Sequence, residues 1–420
     1  MLKKYYPRIV DTLLLDSLRQ TGAVYIVGPK WCGKTSTAKQ VAKSVLDLQN
    51  PDTIHGYLMT ASTKPSLLLE GNKPRLIDEW QVAPVLWDSI RYNVDQSQLK
   101  GQFILTGSVI FDSNEIMHTG TGRISKIVMR PMSLFESLES NGSVSLKNIF
   151  DGQEDVYGIS TLTIEKLAFA LARGGWPSAL ELAQIDALSQ AKHYIASVIE
   201  YDISKVVNIK EETNKISALI RSYARNIATQ ASIETILNDI NSSSKVSLPT
   251  ITKYIEALIR LFVIEDLPAW SPALRSKTPL RETPKRHFVD PSLACAVLGI
   301  NDQRLLSDFK TFGFLFESLV IRDLRIYAES IGGKVFHYRD KNELEVDAVI
   351  QLDDGRWGAV EIKLGSLEIE KAADNLKKFK EKVDTDKMKQ PSFLMIITGS
   401  VAAMKREDGI IIVPIGCLKN

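Results

Sequence analysis

An apolar run, Val24-Tyr25-Ile26-Val27, breaks at a glycine. The eight residues that follow, Gly28-Pro29-Lys30-Trp31-Cys32-Gly33-Lys34-Thr35, fit the pattern G-x-x-x-x-G-K-[ST]. The flanks supply the context that this short pattern needs. Ala23–Val27 reads as a buried strand, and residues 35–48 place Ala38, Val41, Ala42, Val45 and Leu46 on one helical face, which predicts a helix over that range. Strand, glycine loop and helix in this order commit the amino-terminal part to an α/β fold.

The chemistry follows from the residue types. Glycines let backbone N–H groups close around phosphate oxygens, and the start of the helix adds its positive dipole end. Gly28, Pro29, Lys30, Trp31, Cys32, Gly33, Lys34, Thr35 and Ser36 are therefore the candidate nucleotide-binding residues. Lys34, also a catalytic candidate, would reach the β- and γ-phosphates, and the Thr35 hydroxyl would ligate magnesium. A second acidic element stands in "RLIDEWQ", where Asp78 would complete the magnesium shell and Glu79 would polarise the attacking water. The competing reading is a strand that ends in a solvated acidic turn. Residues 102–105 form the next apolar run, and Ser108 just beyond it either senses the γ-phosphate or closes a simple turn.

With 420 residues, 44% hydrophobic and 24% charged, the chain is expected to divide into two to four domains. Its 52 basic and 50 acidic side chains nearly cancel, so any nucleic-acid site has to be a local patch. The amino terminus lacks the apolar core of a signal peptide, and no run reaches the length of a membrane span, so a cytoplasmic protein without a membrane partner is expected. Cys32, Cys295 and Cys417 stand alone, which indicates reduced thiols rather than a zinc site or a disulfide framework.

Taken in order, "GPKWCGKT", "LIDEWQ", "FILTGS" and "GRISKIVMRPMSLFES" resemble the AAA-type ATPases of bacteria and archaea that are fused to a domain of unknown function, DUF4143. The resemblance continues through "RGGWP", "RSYARN", "KRHFVDPSLACAVLGI" and "EVDAVI…AVEIKLG", and so covers nearly the whole chain. It implies a multidomain α/β protein: a P-loop NTPase core of AAA type over residues 1–137, a helical lid over 138–225, a winged-helix-like middle over 226–300 and a restriction-endonuclease-like α/β domain over 301–420. ATP and magnesium are the implied cofactors. Within the core, Arg123 and Arg130 are candidates for sensing phosphate or acting in trans on a neighbouring subunit, as is Arg225 further on; structural salt bridges are the alternative for each. The oligomeric state stays open.

Residues 139–155 are polar and turn-rich, which suggests a boundary or a surface insertion after the ATPase core. Helices are predicted over 162–173 and 179–206, separated by Gly174-Gly175-Trp176-Pro177, with Trp176 as a packing anchor. Residues 232–237 and 248–261, followed by "FVIEDLPAW", resemble a winged helix-turn-helix, and Pro249 suits the first turn of its second helix. The polar face there is mixed (Thr250, Thr252, Lys253, Glu256), so DNA reading and protein contact both remain open. Arg275, Lys277, Arg281, Lys285 and Arg286 form a more basic stretch that either follows a phosphate backbone or is a solvated loop.

A second chemical signal lies near the carboxy terminus. Residues 314–328 read as a helix carrying Glu317, and "ELEVDAVIQLDDGRWGAVEIKLG" as two strands joined at Asp353-Asp354-Gly355. That hairpin would bring Asp347 near Glu361, and strand alternation puts Glu361 and Lys363 on one side. Acid, acid and lysine together look like the PD-(D/E)xK nuclease core. This resemblance implies that Asp347 and Glu361 bind magnesium, that Lys363 activates water and that Glu317 assists. Many proteins with this fold keep the scaffold without cleavage. Residues 371–389 read as a solvated helix, followed by buried strands.

The expectation is an ATP-binding, magnesium-dependent ATPase whose nucleotide state controls its carboxy-terminal domains, with DNA or RNA as candidate partners. Two alternatives stand beside it: an ATP-gated magnesium-dependent nuclease, and a non-catalytic, ATP-switched module that docks a protein partner.

Overall fold

Short buried strands alternate with helices through the first part of the chain in the computed structural model, which describes residues 4–109, 120–153, 155–207, 213–241, 246–272, 282–384 and 388–420. In order these are Ile9–Gln20 (α1), Ala23–Val27 (β1), Lys34–Val41 (α2), Ser44–Asp47 (β2), Ile54–Thr63 (α3), Arg75–Asp78 (β3), Val85–Ser97 (α4), Phe103–Gly107 (β4) and Ile124–Val128 (β5). Among the described residues the strands lie in the order β2-β3-β4-β1-β5, with every neighbouring pair parallel. Parallel sheets are covered on both faces, which is why β1 and β4 read as unbroken apolar runs and are buried throughout. Alternation along β1 divides the core. Tyr25 packs with Trp80, Trp87 and Leu105 on one face, and Val24 and Ile26 pack with Leu14, Leu76 and Ile104 on the other. Because all strands run the same way, the loops that leave β1, β3 and β4 emerge at one edge of the sheet.

The helix expected over 35–48 stops at Val41. Lys43 N donates to Pro74 O at 2.8 Å, and the chain turns into β2, which pairs with β3 through Val45↔Leu76 and Leu46↔Ile77. Pairing with a distant strand wins over local helical spacing here. Ala38 is buried on the helix and Leu46 on the strand, while Val45 is exposed.

The chain forms two compact units, residues 1–131 with 260–262, and residues 132–259 with 263–420. The second contains Val144–Ser145 (β6), Leu146–Phe150 (α5), Gly158–Ile159 (β7), Ile164–Arg173 (α6), Gln184–Ser197 (α7), Ile203–Val207 (α8), Thr213–Arg225 (α9), Ile233–Asn241 (α10), Leu248–Arg260 (α11), Pro291–Leu298 (α12), Asp302–Ser307 (α13) and Phe309–Ser330 (α14). Gly333–Arg339 (β8), Glu345–Leu352 (β9), Trp357–Lys363 (β10), Ile369–Lys382 (α15), Phe393–Thr398 (β11), Ala402–Lys405 (β12), Ile411–Pro414 (β13) and Leu418–Lys419 (β14) complete it. Its larger sheet runs β7-β12-β13-β11-β10-β9-β8. The pairs β8·β9 and β9·β10 are antiparallel, whereas β10·β11 and β11·β13 are parallel. The hairpin turn falls where the sequence places it, with Gly355 at φ 84°.

Local signals account for the helix ends. Thr163 caps α6 by accepting from Lys166 N, and Gly174, at φ 80°, ends it. The helix expected from residue 179 begins only at Gln184, after a short turn over Pro177–Ala179. Trp176 is the anchor expected: it is buried, stacks on Tyr194 at 4.8 Å and donates from Nε1 to Ser292 Oγ at 3.0 Å. Around it lies a buried charge network. Arg322 donates to Asp290 at 2.8 Å and Asp323 at 2.7 Å, with all three side chains no more than 2% exposed. Asp290 also accepts from Gly175 N and Ser292 N, and Asp323 from Leu134 N. Cys32, Cys295 and Cys417 are buried free thiols. No helix among the described residues is long and apolar enough to cross a membrane.

Candidate functional site

At the sheet edge where β1 ends, the loop is held tightly. A methyl group on the Gly28 α-carbon would lie 2.0 Å from Met129 O, so only glycine fits there. Gly33, at φ 104°, turns the chain into the left-handed region immediately before α2. Lys34 is buried, and its Nζ donates to Gly28 O at 2.9 Å and Pro29 O at 2.7 Å. Thr35 Oγ1 donates to Asp78 Oδ1 at 2.8 Å, and Thr106 Oγ1 donates to the same oxygen. The predicted hydroxyl and carboxylate therefore meet.

Asp78 and Glu79 are adjacent but face different partners. Glu79 adopts φ 55°, in the left-handed region, and its backbone N donates to Thr106 Oγ1 at 3.2 Å. Its carboxylate accepts from Gln81 Nε2 and, at 3.4 Å, from Ser108 Oγ. Burial raises the Glu79 pKa above the ordinary glutamate value, with the Lys34 charge opposing. A carboxylate made more basic beside the two hydroxyls at the end of β4 is suited to taking a proton from water.

The arginines are placed differently. Arg123 O accepts from Ala23 N at the first residue of β1, the end away from the loop, and its guanidinium pairs with Asp95 at 2.6 Å. Arg130 is buried two residues past β5, and Arg225 is exposed and paired with Asp239 at 2.9 Å. Of the basic stretch, Arg275, Lys277 and Arg281 lie outside the described residues. Lys285 and Arg286 correct the expectation of a phosphate-tracking patch, because both are buried and neutralised by carboxylates; Arg286 pairs with Asp266 at 2.5 Å.

In the second unit, β9 and β10 bring Asp347, Glu361 and Lys363 together. Lys363 Nζ lies 3.0 Å from Asp347 Oδ2 and 2.7 Å from Glu361 Oε2. Ile362 N donates to Asp347 at 2.9 Å and Asn375 Nδ2 to Glu361 at 2.8 Å. Lys285 Nζ joins them, 2.8 Å from Glu317, 2.8 Å from Glu345 and 3.3 Å from Asp347. Burial, reinforced by the Asp347 charge, pushes Glu361 up to about 8. Burial opposes ionisation of Asp347 too, but Lys285 and Lys363 hold it well below the usual carboxylate range.

Family models match the chain in succession: an AAA domain over residues 20–138, a domain of unknown function (DUF8612) over 164–304 and a domain of unknown function (DUF4143) over 312–418. The chain joins an AAA domain to a DUF4143 domain. No curated protein matches it.

Two parts of these sites escape the sequence patterns. In the AAA domain's surroundings, Arg8 donates from Nη1 to Cys32 O at 2.7 Å and from Nη2 to Arg130 O at 2.8 Å, which braces the phosphate loop against the segment after β5. A lone arginine before a helix carries no motif that announces this. At the DUF4143 domain, Lys285 and Glu345 complete the charged cluster. Alternation with Asp347 along β9 is the signal that could have found Glu345, whereas Lys285 sits in a stretch that looks basic and exposed.

Proposed function

We propose that the AAA domain binds ATP and hydrolyses it with magnesium. The observation that carries this reading is the meeting of Thr35 and Asp78 beside Lys34. A hydroxyl and a carboxylate at a helix start are the hard oxygen donors that magnesium takes. Thr35 and Asp78 would hold it, and when bound it supplies charge that neutralises the β- and γ-phosphate oxygens. Backbone N–H groups from Lys30 to Ser36 cradle the phosphates, and Lys34 exchanges its two carbonyl acceptors for phosphate oxygens. Glu79 takes the proton of the attacking water, and Ser108, already within reach of that carboxylate, helps to orient it. Arg123, on the far end of the sheet, would contribute only from a neighbouring subunit.

The second unit is the part that the nucleotide state would control, with DNA, RNA or a protein as the partner. Asp347, Glu361 and Lys363 would form its chemical centre. The nuclease alternative requires Asp347 and Glu361 to hold magnesium, and Lys285, an ammonium beside Asp347 that the pattern does not include, does not fit that requirement.

The test is ATP turnover by the full chain with magnesium, for wild type, Lys34→Ala and Glu79→Gln, each with and without single-stranded DNA, duplex DNA and RNA. Lys34→Ala should lose nucleotide binding. Glu79→Gln should keep binding and lose about 10²–10⁴-fold in turnover. Undiminished turnover in Glu79→Gln would sink the assignment of the base, and wild-type binding without turnover would favour a ligand switch. Stimulation by one polymer identifies the partner class.

A further inference from the structure

Four carboxylates and two lysines converge in the DUF4143-bearing unit, and their arrangement differs from a metal site. Lys285 is delivered by a segment whose backbone pairs with Leu267 in both directions, at 2.9 and 3.0 Å. Its side chain is 2% exposed, and its ammonium meets Glu317 on α14 and Glu345 and Asp347 on β9. Three acceptors at these distances satisfy the three protons of an ammonium. A magnesium ion needs its oxygens at about 2.1 Å in octahedral array, and would sit beside a buried positive charge. The remaining Asp347 oxygen is taken by Lys363 Nζ and Ile362 N, and Glu361 by Lys363 and Asn375. Among the described residues no group of three or more carboxylate, histidine or cysteine side chains is arranged to hold a metal.

We propose that Lys285 is the resident cation among Glu317, Glu345 and Asp347, with Lys363 between Asp347 and Glu361, and that the unit takes no divalent metal at these carboxylates. The ammonium is covalently tethered, so the carboxylates are neutralised at any metal concentration. The cluster then acts as an ionic clamp that fixes the Leu267–Lys285 pairing to α14 and β9. This goes beyond the ATPase reading and does not depend on it.

The experiment is titration of Mn²⁺ into the nucleotide-free full chain, with free Mn²⁺ followed by electron paramagnetic resonance. Wild type and Asp347→Asn should take up the same amount, and Mn²⁺ should leave the melting temperature of both unchanged relative to EDTA. Lys285→Met should gain one Mn²⁺ per chain, lost again in the double variant with Asp347→Asn, and Mn²⁺ should raise its melting temperature. Wild-type uptake of one Mn²⁺ per chain that Asp347→Asn abolishes would overturn the proposal. A folded Lys285→Met that takes up none would overturn the role given to the lysine. Should Lys285→Met not fold, the comparison of wild type with Asp347→Asn decides alone.

Discussion

Thr35 Oγ1 lies 2.8 Å from Asp78 Oδ1, although 43 positions separate the two residues. The parallel pairing of β1 and β3 with β4 between them makes this possible, because it brings both strand ends to one edge. Asp78→Asn keeps the size of the side chain and removes its charge. The magnesium concentration for half-maximal ATP turnover should rise by more than about tenfold, because metal affinity commonly falls by that much when supporting groups are changed. A magnesium titration of turnover measures this, and an unchanged midpoint would contradict the role given to Asp78.

Gly28→Ala should fail for a steric reason. Its methyl group would meet Met129 O at 2.0 Å, and a backbone carbonyl cannot swing aside as a side-chain end can. The loop or the segment after β5 must shift, at a cost of about 1–3 kcal/mol, typical of overpacking. Binding of a fluorescent ATP analogue should be lost, with a lowered melting temperature. Wild-type affinity in Gly28→Ala would show that the loop has room to spare.

Arg322→Met should destabilise the second unit strongly. Asp290 and Asp323 would be left buried with backbone partners but without their cation, a loss of about 3–5 kcal/mol. Chemical unfolding followed by tryptophan fluorescence reads this directly. A loss below about 1 kcal/mol, the level of a surface pair, would mean that the network relaxes to reach water.

Stability should fall as pH rises through the neutral range. Glu361, pushed up to about 8 chiefly by burial and then by Asp347, keeps its proton in the folded chain after the unfolded chain has lost its own. Glu317, pushed up to about 7 chiefly by burial, acts with the same sign. At these two glutamates the folded state binds more protons between the ordinary glutamate value and about pH 8, and through them linkage makes unfolding easier with each step upward. Asp347 does not mask this, since its depressed pKa matters only below the ordinary aspartate range. The urea midpoint should decline from about pH 6.5 to about pH 8, above the range in which His287 and His337, both held below the ordinary histidine value chiefly by burial, add stability as pH rises, and Glu361→Gln should flatten the decline. An equally steep decline in Glu361→Gln would assign the dependence elsewhere.

What could be read beforehand was local. The phosphate loop is contiguous, β1 is an unbroken apolar run, and the β9–β10 turn carries its own glycine, so each announces itself within a dozen residues. The contact of Asp347 with Lys363 follows from strand alternation across that one turn. What escaped depends on distant partners. The four residues of β2 follow a helix directly, and only pairing with β3 makes them a strand. Lys285 stands beside Arg286 after a turn-rich segment and looks solvated; carboxylates at 317, 345 and 347 decide that it is not. Arg8 is one arginine among many until the carbonyls of Cys32 and Arg130 are brought to it.

The Arg322 network has a bearing on how this chain can be taken apart. Leu134 lies in the AAA match, Gly175 and Asp290 in the DUF8612 match, and Arg322 and Asp323 in the DUF4143 match, yet hydrogen bonds tie all five into one buried set. The seams between the recognised sequence regions are therefore not seams of the folded unit. A fragment cut at residue 312 would carry Arg322 and Asp323 away from Asp290 and from the Leu134 N–H, exposing groups that evolved to be dry. The modules are discrete as inherited text but not as physical objects, and the molecule's own division falls near residue 132, with residues 260–262 returning to the first unit.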